Sequence, residues 1–373
     1  MKRALGTIAS IIIGFTGLSQ FNDTTEVVVK LDSTRFKLAD FFNSNQDLSI
    51  KVNLIYDSLS AEQRVAQLLM PAVGKYGQDY AKIERLTKEN KIGGVLMLNG
   101  SKSEFSKWIK QLDSCNNNLP FFYSADAEPS LINRKITGTK TVQKANTLKT
   151  KEEVEKCAIS ISDELNEIGI NYNFAPVVDM SPNKTVGWRS FGHEPDSVIS
   201  WSAAFIEKSQ NQNIIATAKH FPGHGFVTGD THKKLVYIDG ELKEVKNYPE
   251  LINNGVMSIM VAHIAIKNNT VYNTQNMPAT TSKVVVSDLL RDSLGFEGLI
   301  VTDAMNMGGV RNIPEAEVLA VKAGCDIILM PLDADKAYDR LLFNYHNDPI
   351  FKAQIEIACK RIIRAKLAMN LMN

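Results

Sequence analysis

The densest group of potentially reactive side chains in the 373-residue chain lies between Lys219 and His232. This segment reads Lys-His-Phe-Pro-Gly-His-Gly-Phe-Val-Thr-Gly-Asp-Thr-His, and it contains half of the six histidines. A core segment has no use for so many titratable groups, because each one must find a partner when it is buried. The composition is therefore typical of a strand that ends in a functional loop.

Other charged and polar side chains follow apolar runs in the same way. In chain order they are Asp126 and Glu128 with Arg134 beyond them, Asp179, Arg189, Lys219 and His220, His263, and Asp303. A single residue of this kind can be a helix N-cap or a surface charge. Five consecutive loops with such residues predict one shared site, because the loops after parallel strands converge on one face of a barrel.

Eight apolar runs indicate the strands that would position these residues. Most are continuously apolar, which is typical of parallel strands covered by helices. The first run overlaps a stretch that also has a helical pattern. The eight runs are Val65–Ala72, Gly94–Leu98, Phe121–Ala125, Tyr172–Val178, Ile214–Ala218, Ser258–His263, Gly298–Thr302 and Asp326–Met330.

Amphipathic stretches alternate with these runs and predict helices. They are Lys151–Ile168, Val198–Gln210, Ser282–Asp292, Pro314–Ala323 and the closing Phe351–Leu371. The alternation predicts an α/β fold, a single (β/α)8 TIM barrel over residues 54–373. A doubly wound open sheet is the alternative, but it would have fewer strands and a Gly-rich phosphate loop after the first one.

Five segments match, in order, the motifs of one known family. They are Leu59–Leu68, Asp126-Ala127-Glu128 with Arg134, Trp188–Gly192, Lys219–Gly225 with Asp230-Thr231-His232, and Gly298–Met307. On these residues the chain resembles glycoside hydrolase family 3, in the branch of NagZ-type β-N-acetylglucosaminidases. The resemblance covers essentially the whole predicted barrel.

The resemblance implies a retaining glycoside hydrolysis, which needs a carboxylate nucleophile and a group that protonates the leaving oxygen. Asp303 fits the nucleophile because it follows an apolar strand; its alternative is the N-cap of the next helix. In the NagZ-type branch the proton donor is a histidine held by an aspartate two residues earlier, which corresponds to His232 and Asp230. A neighbouring carboxylate favours the imidazolium and fixes the tautomer. The alternative for His232 is a solvated loop histidine.

The resemblance also assigns five residues to the subsite that holds the non-reducing sugar: Asp126, Arg134, Arg189, Lys219 and His220. Ammonium and imidazole groups at a strand end are suited to hydrogen-bonding sugar hydroxyls. His224 lies between Gly223 and Gly225, and we expect it to shape the loop rather than to catalyse.

The chain departs from the family pattern in the third loop. Pro129 and Ser130 follow Glu128 where the family normally has Gly-Gly, and Glu194 stands where aspartate is commoner. Proline fixes φ and restricts the preceding residue, so we expect a changed loop path that affects the pocket and the contact from Arg134. The catalytic trio is intact, which favours an active enzyme.

The predicted activity is that of an exo-acting β-N-acetylglucosaminidase, which releases terminal β-GlcNAc from peptidoglycan fragments or related oligosaccharides. Two alternatives remain: a β-glucosidase of the same family, and a non-catalytic glycan-binding barrel that the altered third loop would permit. The β-glucosidases commonly take their acid/base from a second domain, whereas here His232 would supply it from the barrel.

The composition bears on partners and cofactors. The 42 Lys and Arg residues are balanced by 41 Asp and Glu residues, so the chain has no basic excess for nucleic acid. The four cysteines are far apart, and we expect free thiols. The histidines lack an HExxH-like pattern, which argues against zinc. We expect a monomer with a carbohydrate substrate, no metal and no cofactor.

The N-terminus resembles a targeting segment. Lys2 and Arg3 precede the apolar stretch Ala4–Leu18, which has the length of a signal-peptide core and is short for a membrane span. We therefore expect a signal peptide or an uncleaved anchor over residues 1–20, a polar spacer over 21–53, and export, most simply to the periplasm.

Overall fold

The fold is taken from a computed structural model, which describes residues 35–180, 182–184 and 186–372. The strands are β1 Leu69–Met70, β2 Ala72–Val73, β3 Gly94–Met97, β4 Gly100–Ser101, β5 Phe122–Ala125, β6 Ile136–Thr137, β7 Tyr172–Asn173, β8 Ile215–Phe221, β9 Val236–Asp239, β10 Ser258–Val261, β11 Ile264–Lys267, β12 Leu299–Thr302 and β13 Ile328–Leu329.

The α-helices are α1 Gln46–Ser58, α2 Ala61–Ala66, α3 Tyr80–Lys88, α4 Lys102–Cys115, α5 Ile132–Lys135, α6 Lys151–Ile168, α7 Pro195–Asn211, α8 Tyr248–Asn253, α9 Ala316–Ala323, α10 Ala334–Asn347 and α11 Pro349–Ala368. Short 3-10 turns cover Leu38–Phe41, Ala145–Thr147, Val245–Asn247 and Ala279–Thr281, and Val284–Ser293 forms a π-helix.

The central sheet has seven parallel strands in the order β12-β10-β8-β7-β5-β3-β2, and β1 pairs separately with β13. The predicted closed (β/α)8 barrel is corrected here to a curled half-barrel with a flanking strand pair. Pro71 separates β1 from β2 and has no N–H to donate. Next to β13, Ile300 donates its N–H to the Asp326 carboxylate (2.7 Å), and an isolated bridge between Val301 and Ile327 joins β12 to this edge.

Local signals explain where the elements begin and end. Ser60 and Gln63 form a capping box that starts α2, so the first strand begins at Leu69 and not at Val65 as predicted. Helix α6 has its predicted bounds, because Thr150 caps its first turn and Gly169 ends it in the left-handed conformation (φ 98°).

The described part of the predicted spacer is folded. Leu48, Val52 and Tyr56 of α1 are buried, and α1 packs against α11. The boundary that we expected between residues 53 and 54 lies inside α1. The predicted targeting segment lies outside the described residues, and in the described part of the chain no helix is long and apolar enough to cross a membrane.

Candidate active site

A cavity of about 990 Å³ opens at the carboxyl ends of the parallel strands. The structure brings all eight predicted site residues to its wall, although they come from four different strand ends and loops. They are Asp126, Arg134, Arg189, Lys219, His220, Asp230, His232 and Asp303. The convergence follows from the parallel sheet, which presents the ends of its strands on one side.

Asp303 directly follows β12 and lies on the floor of the cavity. Its backbone N–H donates to the Val261 carbonyl of β10 (2.9 Å), and its carboxylate accepts the Ala304 N–H (2.8 Å). Burial opposes ionisation, but the neighbouring His220 and His263 hold the pKa of Asp303 below its ordinary value. Asp303 is therefore a rigidly placed carboxylate that stays ionised at neutral pH.

The imidazole of His220 is held by a buried carboxylate beneath it. His220 Nδ1 donates to Asp179 Oδ2 (2.6 Å), and the backbone N–H groups of His220 and His224 donate to Asp179 Oδ1 (3.2 and 2.8 Å). Burial alone would raise the pKa of Asp179, but His220 keeps it below the ordinary value. Nδ1 of His220 is occupied, so Nε2 is the ring nitrogen left for a ligand.

Lys219 is buried and joins two carboxylates of the third loop. Its Nζ lies 2.7 Å from Asp126 Oδ1 and 2.5 Å from Glu128 Oε1, and Lys135 pairs with the other oxygen of Asp126. Burial would lower the pKa of Lys219, but Asp126 and Glu128 raise it. Burial likewise opposes ionisation of Asp126, yet Lys135 and Lys219 hold its pKa well below its usual range. These groups form a charged and preoriented wall.

Glu128 also receives the guanidinium of Arg189. Arg189 Nε and Nη2 donate to Glu128 Oε2 and Oε1 (2.8 and 2.6 Å), which is the bidentate geometry of a strong charge pair. Glu128 is fully buried, and despite this burial Arg189 and Lys219 lower its pKa to about 2. Arg189 therefore contacts the third loop with two of its donors, and its role in sugar binding stays a prediction.

His232 and Asp230 lie across the cavity on the loop that follows β8. Asp230 Oδ1 accepts both the backbone N–H of His232 (3.0 Å) and its Nδ1–H (2.8 Å). The His232 side chain is 62% exposed. Burial opposes ionisation of Asp230, but the two hydrogen bonds from His232 keep its pKa below the ordinary value. The pair thus presents the Nε2 of a tautomerically fixed imidazole.

The two remaining histidines of this region are buried. His224 Nε2 lies 3.1 Å from the Thr231 hydroxyl, and His263 Nε2 donates to the Ala304 carbonyl (3.0 Å). Burial lowers the pKa of both imidazoles. His263, which the sequence placed among the site residues of the strand ends, thus supports the segment after Asp303 from beneath and does not line the cavity.

The third loop accommodates its unusual Pro129 and Ser130. The Ser130 hydroxyl donates to the Trp188 carbonyl (2.8 Å) and accepts the Ala145 N–H (2.9 Å), so serine ties the third loop to the fourth. Arg134 is exposed at the cavity rim, and its guanidinium lies 5.7 Å from the centre of the Trp188 ring.

Sequence reasoning gave no role to several residues that the structure connects to the site. Glu128 and Asp179 stand after predicted strands, and their positions were a usable signal. Lys135 and the buried Glu244 carry no such signal in the sequence. Glu244 accepts the N–H groups of Met180 and Gly225 (2.5 and 2.8 Å) and so fixes the start of the histidine-bearing loop.

The arrangement suits a double displacement at a carbon centre. A partly buried, ionised carboxylate can attack, and an exposed imidazole held by a carboxylate can give and take a proton. Within the described ranges, no group of three or more His, Cys, Asp or Glu side chains is placed to hold a metal ion.

Comparison with known proteins places this site in a family. The profile of the "Glycosyl hydrolase family 3 N terminal domain" matches residues 60–365. The chain therefore belongs to glycoside hydrolase family 3.

Two proteins to which the chain is similar have glycosidase names. A "Beta-N-acetylglucosaminidase/beta-glucosidase" of Cellulomonas fimi is 26% identical over 88% of this chain and 61% of its own length. A "Beta-hexosaminidase A" of Pseudoalteromonas piscicida is 33% identical over 57% of this chain and 40% of its own length. The chain thus spans only about half of the length of these relatives.

Solved structures show the same fold. A glycoside hydrolase family 3 β-N-acetylglucosaminidase from Paenibacillus sp. str. FPU-7 has a TM-score of 0.77 at 28% identity, covering 84% of this chain and 63% of that chain. A β-N-acetylhexosaminidase from Beutenbergia cavernae DSM 12333 has a TM-score of 0.74 at 25% identity, covering 83% of this chain and 99% of that chain.

Proposed function

We propose that the protein is a retaining, exo-acting β-N-acetylglucosaminidase. The observation that carries the proposal is the pairing of two groups in one cavity: Asp303, which is partly buried and ionised, and His232, which is exposed and held by Asp230. The membership in glycoside hydrolase family 3 and the names of the relatives support it.

In the first step, an Asp303 oxygen bonds to the anomeric carbon while the glycosidic C–O bond breaks. His232, as the imidazolium, gives its proton to the leaving oxygen, which departs as an alcohol. In the second step, His232 takes a proton from water, the water oxygen attacks the anomeric carbon, and the bond to Asp303 breaks. Asp230 stabilises the imidazolium form of His232, which is lost in the first step and formed again in the second.

Five residues would hold the terminal sugar. His220 Nε2 and the Lys219–Asp126 pair face the floor of the cavity, where sugar hydroxyls would meet both donors and an ionised acceptor. Arg189 contributes mainly through Glu128, and Arg134 lies at the rim. The acetamide serves recognition in this mechanism, because Asp303 and not the substrate supplies the nucleophile.

For the leaving group we propose a peptidoglycan fragment. Floor residues such as Lys219 are buried, whereas Lys75 and Arg134 are exposed at the rim, where the leaving group of an exo-acting enzyme lies. Neither cation has a carboxylate partner among the residues that the structure describes. A carboxylate-bearing aglycone would form an ion pair with these cations, which a neutral chitooligosaccharide would not.

The remaining predictions are part of the same proposal. Residues 1–20 would act as a signal peptide or anchor, and the catalytic domain predicted over residues 54–373 would extend back to include α1. The protein would be exported to the periplasm, act as a monomer, and use neither a metal nor a cofactor.

The test is a panel of substrates for the purified protein and four variants. We expect kcat/KM for aryl β-GlcNAc to exceed that for aryl β-glucoside, and a carboxylate-bearing GlcNAc disaccharide to be cleaved faster than chitobiose. Asp303→Ala should reduce turnover by several orders of magnitude. His232→Ala should harm substrates with poor leaving groups much more than activated ones, because only the former need the proton.

Asp339→Ala and His346→Ala are matched controls, because both residues are exposed on α10 outside the cavity lining. Faster cleavage of the glucoside would favour the β-glucosidase alternative, which the name of the Cellulomonas fimi relative includes. Saccharide binding without turnover would favour a glycan-binding barrel. A slow fluorinated substrate that labels a carboxylate other than Asp303 would refute the nucleophile assignment.

A further inference from the structure

The loop that carries Asp230 and His232 is anchored at both ends. Val227 and Val236 are buried, and they pack with Ala262 and Ile264 in a small hydrophobic cluster separate from the main core. Residues 228–235 therefore form a short loop whose two ends are fixed. The position of His232 depends on the contacts that hold the outer part of this loop, around Thr231 and His232.

Two backbone hydrogen bonds hold that outer part to the segment that begins with Asp303. The Gly308 N–H donates to the His232 carbonyl (2.9 Å), and the Gly309 N–H donates to the Thr231 carbonyl (3.0 Å). The segment that carries the proposed nucleophile thus also positions the proposed proton donor.

This contact requires glycine for reasons of space. A Cβ on Gly308 would lie 2.2 Å from the carbonyl oxygen of Lys233, and a Cβ on Gly309 would lie 2.9 Å from Cβ of His263. Neither glycine has a left-handed φ, so alanine suits the backbone conformation at both positions. The atoms that a Cβ on Gly308 would meet belong to the backbone of the loop that carries His232. Because backbone has no alternative rotamer, this loop would have to move.

We propose that Gly308 and Gly309 are positioning residues that fix the distance between the proton donor His232 and the nucleophile Asp303. The inference rests on the proposed function, since it assigns the glycines an effect on the proton-transfer step. A side chain that prevents the close contact between these glycines and the loop would displace His232. Asp303 would keep its own hydrogen bonds to Val261 and Ala304.

The experiment compares Gly308→Ala and Gly309→Ala with wild type on two aryl β-GlcNAc substrates. For phenyl, a poor leaving group, we expect kcat/KM to fall at least about tenfold, because general acid catalysis contributes roughly 10²–10⁴-fold. For dinitrophenyl, an activated leaving group, we expect a change of less than about threefold. The larger effect should belong to Gly308, whose Cβ would meet the loop backbone itself.

Asn306→Ala is the matched control, because Asn306 is exposed two residues before Gly308 and does not line the cavity. It should leave both substrates at wild-type rates. A wild-type protein that hydrolyses neither substrate would refute the proposed function. An active wild type with glycine variants that lose both substrates equally, or neither, would refute only the positioning role.

Amide hydrogen exchange of the wild-type segment 305–311 provides a test that does not depend on the variants folding. We expect the Gly308 and Gly309 amides to exchange slowly, as hydrogen-bonded groups do. Exchange at the rate of free amides would overturn the proposal even if Gly308→Ala proves too unstable to assay.

Discussion

Asp303 and His232 have opposite environments, and the difference suits their proposed tasks. Asp303 is fixed at a strand end by backbone hydrogen bonds, whereas His232 is 62% exposed on a loop. A nucleophile must keep one position and remain ionised, while a proton donor must reach both the leaving oxygen and the incoming water. A fixed position at a strand end and an exposed position on a loop therefore suit the two proposed roles.

At the residue scale, Glu128 is expected to matter as much for stability as for binding. It is fully buried between Lys219 and Arg189. Glu128→Ala would leave Arg189 without its bidentate carboxylate partner and buried Lys219 with Asp126 alone, and we expect the free energy of unfolding to fall by about 3–5 kcal/mol. Urea unfolding measures this loss, and the KM for aryl β-GlcNAc should rise as Lys219 loses its orientation.

Glu207→Ala is the control for this comparison. Glu207 is 60% exposed and its contact with Lys208 is 4.0 Å long, so its removal should change stability by no more than about 0.5 kcal/mol. An equally small loss for Glu128→Ala would contradict the role of Glu128 as the shared counter-ion.

At the scale of elements, α1 connects the start of the described chain to its last helix. Besides the apolar face of α1, Arg364 of α11 donates to the carbonyls of Asp40, Phe41 and Asn43. The segment 35–58 is therefore part of the folded unit, although the family match begins only at residue 60.

Truncation tests this assignment. A chain that starts at residue 60 should melt at a lower temperature than one that starts at residue 35, because it loses the buried Leu48, Val52 and Tyr56. Each such side chain contributes roughly 1.5–3 kcal/mol, partly offset by the entropy of ordering the segment. We expect Tm to fall by about 5 °C or more. Equal Tm values for the two truncated chains would mean that α1 is dispensable.

At the scale of the whole molecule, stability should depend on pH through Lys366. This lysine is completely buried on α11, where it donates to Gln67 Oε1 (2.7 Å) and to the Gly93 carbonyl (3.1 Å). Burial lowers its pKa to about 7. Between about pH 7 and pH 10 the folded state therefore binds fewer protons than the unfolded state, in which the pKa is about 10.4.

The free energy of unfolding should consequently rise with pH across that window, by up to about 4 kcal/mol from this one group. Lys366→Met should lack this contribution. The test is to measure the urea midpoints of wild type and variant from pH 7 to pH 10, where the wild-type midpoint should rise relative to that of the variant. Lys352→Met, an exposed substitution on the same helix, should keep the wild-type slope. A Lys366→Met variant with the full slope would refute the assignment.

The sequence by itself indicated which side chains line the cavity. Side-chain type and position after a strand are local properties, so Asp303 and Lys219 with His220 could be placed there without coordinates, whereas the pair of Asp230 and His232 was predicted from the family resemblance. The bounds of α6 were also predictable, because its cap and its terminal glycine lie next to it in the chain.

Only the tertiary structure decided which groups pair and how closely the loops approach. Glu128 bridges Lys219 and Arg189, which lie 91 and 61 residues away, and Gly308 docks the loop of His232 from a different strand. The N–H of Ile300 likewise bonds to the carboxylate of Asp326, which lies 26 residues away. Such contacts are set by packing between distant segments, and no local pattern of residues records them.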